Sequence, residues 1–164
     1  MDTALKIIVV EDHDELREVT VEALNTMGHD VHGVDCAEAL DEALAGFSAD
    51  ILVLDLNLPG EDGISIARRL RKAQPNTGIV MVTARDAAKD VLSGYDSGAD
   101  IYLTKPTSPE ELGAAIRALA RRDYAATLGT RVDFTVLFVP GEPILAAAFE
   151  AEPSLQTEAM ESRI

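Results

Sequence analysis

The stretch DILVLD (50–55) is an apolar run that does not alternate between polar and apolar residues and that ends on a carboxylate. Three further runs have the same character: LKIIVV (5–10), GIVMVT (78–83) and DIYLTK (100–105). Short runs of this kind, rich in β-branched residues, are typical of strands that are buried on both faces of a parallel sheet. Because the carboxyl ends of parallel strands share one edge, we expect the polar residues that follow these runs to converge there.

Helix-like segments alternate with the strand-like runs. A weaker strand is predicted at 30–35, and helices are predicted at about 16–27, 36–46, 64–74, 87–95 and 109–122. The last helix opens with an N-cap serine, Ser108, followed by Pro109 and a capping-box glutamate, Glu111. Five βα units with right-handed crossovers predict an α/β fold with a doubly wound, five-stranded parallel sheet in the order 2-1-3-4-5.

Length and charge limit the remaining possibilities. We expect one domain at 1–123 and a strand-helix extension at 124–164 in this chain of 164 residues. The formal charge of −15, from 29 acidic and 14 basic residues, argues against direct binding of nucleic acid or anionic lipid. No apolar stretch approaches the roughly 20 residues of a membrane span, and the start lacks the pattern of a signal peptide. We therefore expect a cytoplasmic protein.

An acidic cluster is predicted at the carboxyl edge of the sheet. Glu11 and Asp12 follow the first strand, and Asp55 follows its predicted neighbour. Carboxylates that meet in one crevice repel one another unless a cation lies among them, and hard oxygen ligands suit Mg²⁺. Acidic residues after strands are also ordinary solvent-facing loop residues, so the cluster alone does not decide between these interpretations.

Three residues of this edge have the chemistry of phosphoryl transfer. A carboxylate such as Asp55 beside Mg²⁺ can attack phosphorus and form an acyl phosphate. Thr83, followed by the small Ala84, can donate a hydrogen bond to a phosphate oxygen, and Lys105 supplies a compact cation. Taken singly, each residue has a bland alternative, such as a loop cap, a good strand residue or a surface lysine. Their order along the chain favours the functional interpretation.

Residues 4–122 resemble the receiver domain of two-component response regulators, which implies a flavodoxin-like fold and a role in phosphorelay signalling. The resemblance implies that Asp55 is the phosphoacceptor for a histidine kinase and that Thr83 and Lys105 bind the phosphoryl oxygens. Tyr102 would be the aromatic switch residue. The implied Mg²⁺ ligands are Glu11, Asp12, Asp55 and the backbone carbonyl of Asn57. Such a protein is not an enzyme, apart from Mg²⁺-dependent self-phosphorylation and autodephosphorylation.

Two positions depart from the transcription-factor branch of that family. That branch usually has a second aspartate after Gly-Ala-Asp and an aromatic residue after Lys-Pro, whereas this chain has Ile101 and Thr107. Both lie near the face through which that branch forms dimers. The usual dimer is therefore not expected here.

Competing functions remain to be distinguished. A flavodoxin-like FMN carrier needs a phosphate loop after the first strand, where this chain has the acidic EDHDE (11–15). A haloacid-dehalogenase-type phosphatase needs Asp-x-Asp, where this chain has Asp55-Leu56-Asn57. The remaining alternatives are the receiver part of a truncated DNA-binding transcriptional regulator and a receiver-fold module that binds proteins without phosphorylation. His13 and the basic run at 68–72 are interpreted as surface features.

The extension holds a strand-like run, FTVLFV (134–139). Residues 132–164 resemble a fragment of the RmuC family of DNA-recombination proteins, which suggests a fusion of unrelated pieces without nuclease activity. An apolar strand must be buried, either at the edge of its own sheet or against a second chain. We favour exchange with a second chain, which predicts a homodimer formed through the extension.

Overall fold

The computed structural model describes residues 4–84, 92 and 95–127, with the backbone alone for 122–127. This part of the chain contains a five-stranded parallel sheet in the order β2-β1-β3-β4-β5. The strands are β1 (Lys6–Val10), β2 (Asp30–Val34), β3 (Ile51–Leu54), β4 (Gly78–Thr83) and β5 (Ile101–Thr104). The predicted fold class and strand order are confirmed.

Helices cover both faces of this sheet. They are α1 (Asp14–Thr26), α2 (Ala37–Gly46), α3 (Gly63–Ala73) and α4 (Pro109–Thr127). One core packs α2 and α3, through residues such as Leu40 and Ile66, against the sheet face that carries Leu54. The other packs α1 and α4, through Leu24 and Ile116, against the opposite face. Because both faces are buried, β3 is apolar at every position and β1, β4 and β5 at most, which explains the absence of alternation there, whereas the edge strand β2 is largely exposed.

The strand register brings the ends of the strands to one edge. Val10 lies opposite Leu54 in the ladder between β1 and β3, and Thr83 lies opposite Thr104 in the ladder between β4 and β5. Backbone hydrogen bonds extend both ladders by one residue, from Asp55 N to Val10 O at 3.1 Å and from Lys105 N to Thr83 O at 2.7 Å. The residues that follow the strands are thereby held in line with them.

The helix ends follow local capping chemistry. The Ser108 hydroxyl accepts a hydrogen bond from the Glu111 N–H at 3.1 Å, and the Glu111 carboxylate accepts one from the Ser108 N–H at 3.4 Å, which confirms the predicted capping box. Helix α4 continues to Thr127 and not to about 122 as expected. Strong helix formers such as Ala125 and Ala126 extend it.

Two predictions lie wholly or largely outside the described residues. Of the helix predicted at 87–95, only Leu92 and Tyr95 are described, and both are helical, as are residues 96 and 97. The strand-like run at 134–139 is not described. Within the described ranges, no helix combines the length and apolar character needed to cross a bilayer.

Candidate functional site

Asp55 is a buried carboxylate at the end of β3. It is 5% exposed. Its Oδ1 accepts a hydrogen bond from the Asn57 N–H at 3.1 Å, and its Oδ2 accepts one from the Lys105 ammonium at 3.0 Å. A buried carboxylate of this kind keeps one oxygen beside a cation and the other on a fixed backbone donor.

Gly63, the first residue of α3, packs directly against the backbone of Asp55. A Cβ atom placed on Gly63 would lie 2.2 Å from the Asp55 carbonyl oxygen. The Gly63 N–H also donates to the Leu56 carbonyl at 3.1 Å. From the sequence we predict only that a helix begins after Gly63, at about residue 64, and not that this glycine packs against Asp55. A glycine in the first turn of a helix, where alanine is the better helix former, was the available signal of a close backbone approach.

Glu11 and Asp12 complete the acidic cluster. Glu11 is 6% exposed, whereas Asp12 is exposed. Lys105 Nζ lies 2.7 Å from Glu11 Oε2, and Glu11 Oε1 accepts a hydrogen bond from the His13 N–H at 3.3 Å. Carboxylate oxygens of Glu11, Asp12 and Asp55 all lie within 4.8 Å of one another. The structure therefore brings these three predicted ligands together with Lys105.

The electrostatics of this cluster are unbalanced. Burial, reinforced by the charge of Asp55, raises the pKa of Glu11 above its ordinary value despite the hydrogen bond from Lys105. Burial acts to lower the pKa of Lys105, but its hydrogen bonds to Glu11 and Asp55 and their charges outweigh it and raise that pKa. One ammonium thus faces three carboxylates, and the excess negative charge together with the oxygen donor set fits Mg²⁺.

Thr83 and Lys105 lie on neighbouring strands at this edge. Thr83 is the last residue of β4 and is fully buried. The peptide bond between Lys105 and Pro106 is cis. The other expected metal ligand, Asn57, is exposed and joins the site through its backbone N–H on Asp55. The predicted site residues therefore lie at the carboxyl ends of four neighbouring strands, β1, β3, β4 and β5.

Tyr102 points into the core. It is 1% exposed and packs with the cluster under α2 and α3. Its ring lies 6.5 Å from that of Tyr95, centre to centre, at an interplanar angle of 47°. Burial raises the pKa of the Tyr95 phenol. Tyr102 thus contacts the segment between β4 and β5.

His13 has a structural partner. It is the N-cap of α1, and its Nδ1 accepts a hydrogen bond from the Leu16 N–H at 3.3 Å. A side chain engaged in this way satisfies a free donor of the first helical turn.

The interpretation of residues 68–72 as a solvated basic face is wrong for two of its arginines. Arg69 forms ion pairs with Asp41 and Glu61, both at 2.9 Å. Arg71 binds Asp100 Oδ2 at 2.6 Å and the Gly98 carbonyl at 2.7 Å. Glu61 lies 8 residues from Arg69, but Asp41, Gly98 and Asp100 lie 27 or more residues from the arginines that they bind, so the local charge pattern does not reveal them.

Comparison with known proteins identifies relatives over most of the described region. The chain is 42% identical over 120 residues to the transcriptional regulatory protein TcrA of Mycobacterium tuberculosis, which covers 73% of this chain and 47% of TcrA. It is 40% identical over 118 residues to BasR of Escherichia coli, another transcriptional regulatory protein, which covers 72% of this chain and 53% of BasR. The chain thus spans about half the length of these curated relatives.

Solved structures agree with this comparison. The BeF3-activated receiver domain of DrrB, a Thermotoga maritima OmpR/PhoB homolog, superposes with a TM-score of 0.67 at 30% identity. The match covers 73% of this chain and all of that domain. Residues 105–164 also match the RmuC family, as expected for the 132–164 segment, although the match begins within the described region.

The family assignment follows from a match of a protein family to more than half of the chain. Residues 7–117, more than half of the chain, match the response regulator receiver domain. This range contains all five strands and the acidic cluster with Lys105. The chain therefore belongs to the response regulator receiver domain family.

Proposed function

We propose that the chain accepts a phosphoryl group on Asp55 from a histidine kinase and changes conformation in phosphorelay signalling. The observation that carries this proposal is the buried Asp55 carboxylate, with Lys105 Nζ at 3.0 Å and two further carboxylates alongside. The names of TcrA and BasR as transcriptional regulatory proteins, and the activated state of the DrrB receiver, support it.

In the proposed reaction, an Asp55 oxygen attacks the phosphorus atom of the donor. The new bond is an acyl phosphate, and the bond from phosphorus to the donor histidine breaks. Glu11, Asp12, Asp55 and the Asn57 carbonyl would hold Mg²⁺, which when bound neutralises charge on the transferring oxygens. Lys105 donates hydrogen bonds to Glu11 and Asp55 in this structure. After the transfer, its ammonium group would bind a negatively charged phosphoryl oxygen.

Thr83 and Tyr102 form the proposed switch. The Thr83 hydroxyl would donate to the phosphoryl oxygen, and Tyr102 would respond by leaving its contact with Tyr95. Phosphorylation shifts the equilibrium between two states only as far as its contacts differ between them. Nuclear magnetic resonance of the beryllofluoride complex should therefore show shifts around Tyr102, and unchanged spectra there would contradict the switch.

Turnover at this site is limited to Mg²⁺-dependent self-phosphorylation from small donors and to autodephosphorylation. Asn57 and Arg85 are the side chains proposed to border the path of the attacking water. Asn57 is exposed beside Asp55, whereas Arg85 lies outside the described residues.

A second candidate function is suggested by the relatives. TcrA and BasR are transcriptional regulatory proteins, and the chain spans about half of each. The chain would then be the receiver part of a longer DNA-binding regulator. A charge of −15 argues that this part does not itself contact DNA. The proposed location is the cytoplasm.

The proposed organisation is a receiver domain at 1–123 and an extension at 124–164 that forms a dimer by strand exchange. Deletion of 124–164 should give a monomer that is still phosphorylated, measured by light scattering and phosphate incorporation. A deletion variant that stays dimeric, or that does not fold, would contradict this organisation.

The central experiment compares phosphate incorporation from acetyl phosphate in the wild type and Asp55→Asn. We expect Mg²⁺-dependent labelling of the wild type, abolished by chelator, and no labelling of Asp55→Asn. Asp50→Asn is the matched control, because Asp50 lies at the opposite end of β3 and accepts a hydrogen bond from the Lys6 N–H at 2.8 Å, which an amide oxygen also accepts. Labelling of Asp55→Asn at the wild-type level would reject the proposal.

A further inference from the structure

The loop between β3 and α3 carries Asn57 and is fixed at its inner end. The Asn57 N–H binds Asp55 Oδ1 at 3.1 Å, and the Gly63 N–H binds the Leu56 carbonyl at 3.1 Å. The middle of the loop is exposed, and Gly60 has a φ of 77°, the left-handed region that favours glycine. Leu58 attaches the loop to the core under α2 and α3, and the exposed residues that follow it have a second attachment.

Glu61 provides that attachment through Arg69 of α3. Arg69 Nε donates to both Glu61 oxygens, at 2.9 and 3.1 Å. The hydrogen bond from Arg69 lowers the pKa of Glu61 below its ordinary value. The other two guanidinium nitrogens bind the two oxygens of Asp41, on α2, at 2.9 and 3.2 Å. One planar side chain therefore joins the loop to both α2 and α3.

The expected effect of this contact is local. The side chains of Arg69 and Asp41 are 38% and 53% exposed, and exposed ion pairs contribute little to the global free energy of unfolding. Exposed loops open at much lower free energies than the whole fold. A contact that contributes little to the global free energy of unfolding can thus still determine how often the loop between β3 and α3 is attached to α3.

We propose that Arg69 is a positioning residue for the cation site, which acts through Glu61 to keep the loop, and with it the Asn57 backbone carbonyl, beside Asp55. The inference rests on the proposed function, because it assumes that Asn57 and Asp55 hold Mg²⁺. Arg69 does not itself belong to the acidic cluster.

Charge and position predict opposite effects when Arg69 is changed. Arg69→Gln removes a positive charge near an acidic site, so Coulomb attraction alone would make Mg²⁺ bind more tightly. Loss of the loop attachment would make Mg²⁺ bind more weakly. Arg68→Gln is the matched control, because Arg68 is exposed on the same helix and makes no hydrogen bond or ion pair with any described residue.

The test is titration of the full chain with MgCl₂ by isothermal calorimetry. We expect Arg69→Gln to raise the dissociation constant by about three- to tenfold, less than the usual effect of a residue that bonds directly to a metal ligand. Arg68→Gln should leave it unchanged or lower it. At saturating Mg²⁺ the rate of phosphorylation by acetyl phosphate should be the same in Arg69→Gln and the wild type, and the melting temperature should be similar.

The double variant Arg69→Gln with Glu61→Gln gives a second test, because it leaves the net charge unchanged. Coulomb attraction alone predicts wild-type Mg²⁺ binding, whereas loss of the attachment predicts binding as weak as in Arg69→Gln. The positioning role would be overturned by Mg²⁺ binding in Arg69→Gln that is as tight as in the wild type or tighter, together with wild-type binding in the double variant. Absence of Mg²⁺ binding by the wild type would instead overturn the proposed function.

Discussion

At the amino ends of the strands and again at their carboxyl ends, a cationic side chain lies beside a shielded carboxylate. The two clusters differ in how many carboxylates each cation faces. At the amino edge, Arg71 binds one carboxylate, that of Asp100, together with the carbonyls of Pro75, Thr77 and Gly98. At the carboxyl edge, Lys105 lies between Glu11 and Asp55, with Asp12 alongside.

The comparison separates a structural ion pair from a reactive one. Asp100 also accepts a hydrogen bond from the Ile79 N–H at 2.8 Å, so the Arg71–Asp100 pair is neutral and is also bonded to the backbone. Among the residues that the structure describes, the cluster at the carboxyl edge has three carboxylates and one lysine, which leaves an excess of negative charge. A neutral, satisfied pair holds elements together, whereas uncompensated charge attracts a cation and an electrophile.

The largest effect is expected from Lys105→Met. Phosphorylation by acetyl phosphate should slow by about a hundredfold, because a preorganised cation at the phosphoryl oxygens is lost. Binding of Mg²⁺ alone should become tighter, because the competing ammonium leaves Glu11 and Asp55. Stopped-flow kinetics and calorimetry measure the two effects. Lys72→Met, on the exposed surface of α3, is the control. Weaker Mg²⁺ binding in Lys105→Met would show that the Lys105 ammonium does not compete with Mg²⁺ for the Glu11 and Asp55 carboxylates.

Arg71→Met should act on stability and not on chemistry. We expect the free energy of unfolding to fall by about 2–3 kcal/mol, because a shielded Asp100 loses its partner and carbonyls at three positions lose a donor. Urea denaturation gives this value, and Arg68→Met serves as the reference. Phosphate incorporation per folded molecule should stay at the wild-type level. A strong loss of Mg²⁺ binding in Arg71→Met would contradict the claim that Arg71 affects stability and not the site at the carboxyl edge.

Gly63→Ala tests how closely the carboxyl edge is packed. The new methyl group would collide with the Asp55 backbone, so either α3 or the end of β3 must shift. We expect a loss of about 1–3 kcal/mol in the free energy of unfolding and slower phosphorylation. Gly46→Ala is the matched control, because its Cβ would meet no atom within 4 Å. Equal behaviour of the two variants would show that the close approach is not maintained in solution.

The smallest effect concerns pH. The pKa of Glu11 is raised in the folded state, so that state binds more protons than the unfolded one between the ordinary value of 4.5 and the raised value. Without metal, the stability due to this group is fully present below pH 4.5 and is lost as pH rises through the raised pKa. Lys105 titrates above its ordinary 10.5, outside this window.

Urea denaturation in chelator across this pH range is the measurement. We expect a fall in stability with rising pH in the wild type that is missing in Glu11→Gln. Parallel pH profiles of the two proteins would show that Glu11 is not shielded from water as the structure indicates.

Sequence reasoning predicted the parts of this molecule that depend on short-range pattern. Apolar runs without alternation predicted the strands. The polar residues after these runs predicted that Asp55, Glu11 and Lys105 lie together, because the carboxyl ends of parallel strands lie side by side. The capping box gave the start of α4. Each of these signals lies within a few residues of the feature that it predicts.

The contacts that were missed join residues far apart in the chain. Arg69 and Arg71 looked like a solvated face, because their partners Asp41 and Asp100 lie 28 and 29 positions away. The close approach of Gly63 to Asp55 depends on how α3 returns against the end of β3, which composition does not reveal. The charge imbalance of the carboxyl edge also required the distances from Lys105.

The contact between Arg71 and Gly98 has a consequence for how this sequence can change by mutation. Gly98 has a φ of 111°, and a Cβ there would lie 2.9 Å from carbon atoms of the Arg71 side chain. One of these atoms is the Cβ, which every residue except glycine keeps at position 71, so replacement of the arginine would remove neither this contact nor the backbone restriction, whereas any larger residue at 98 would displace the arginine from its carbonyl acceptor. A prior change at position 71 therefore does not open position 98 to other residues, and Gly98 is restricted by its own backbone as well as by its neighbour.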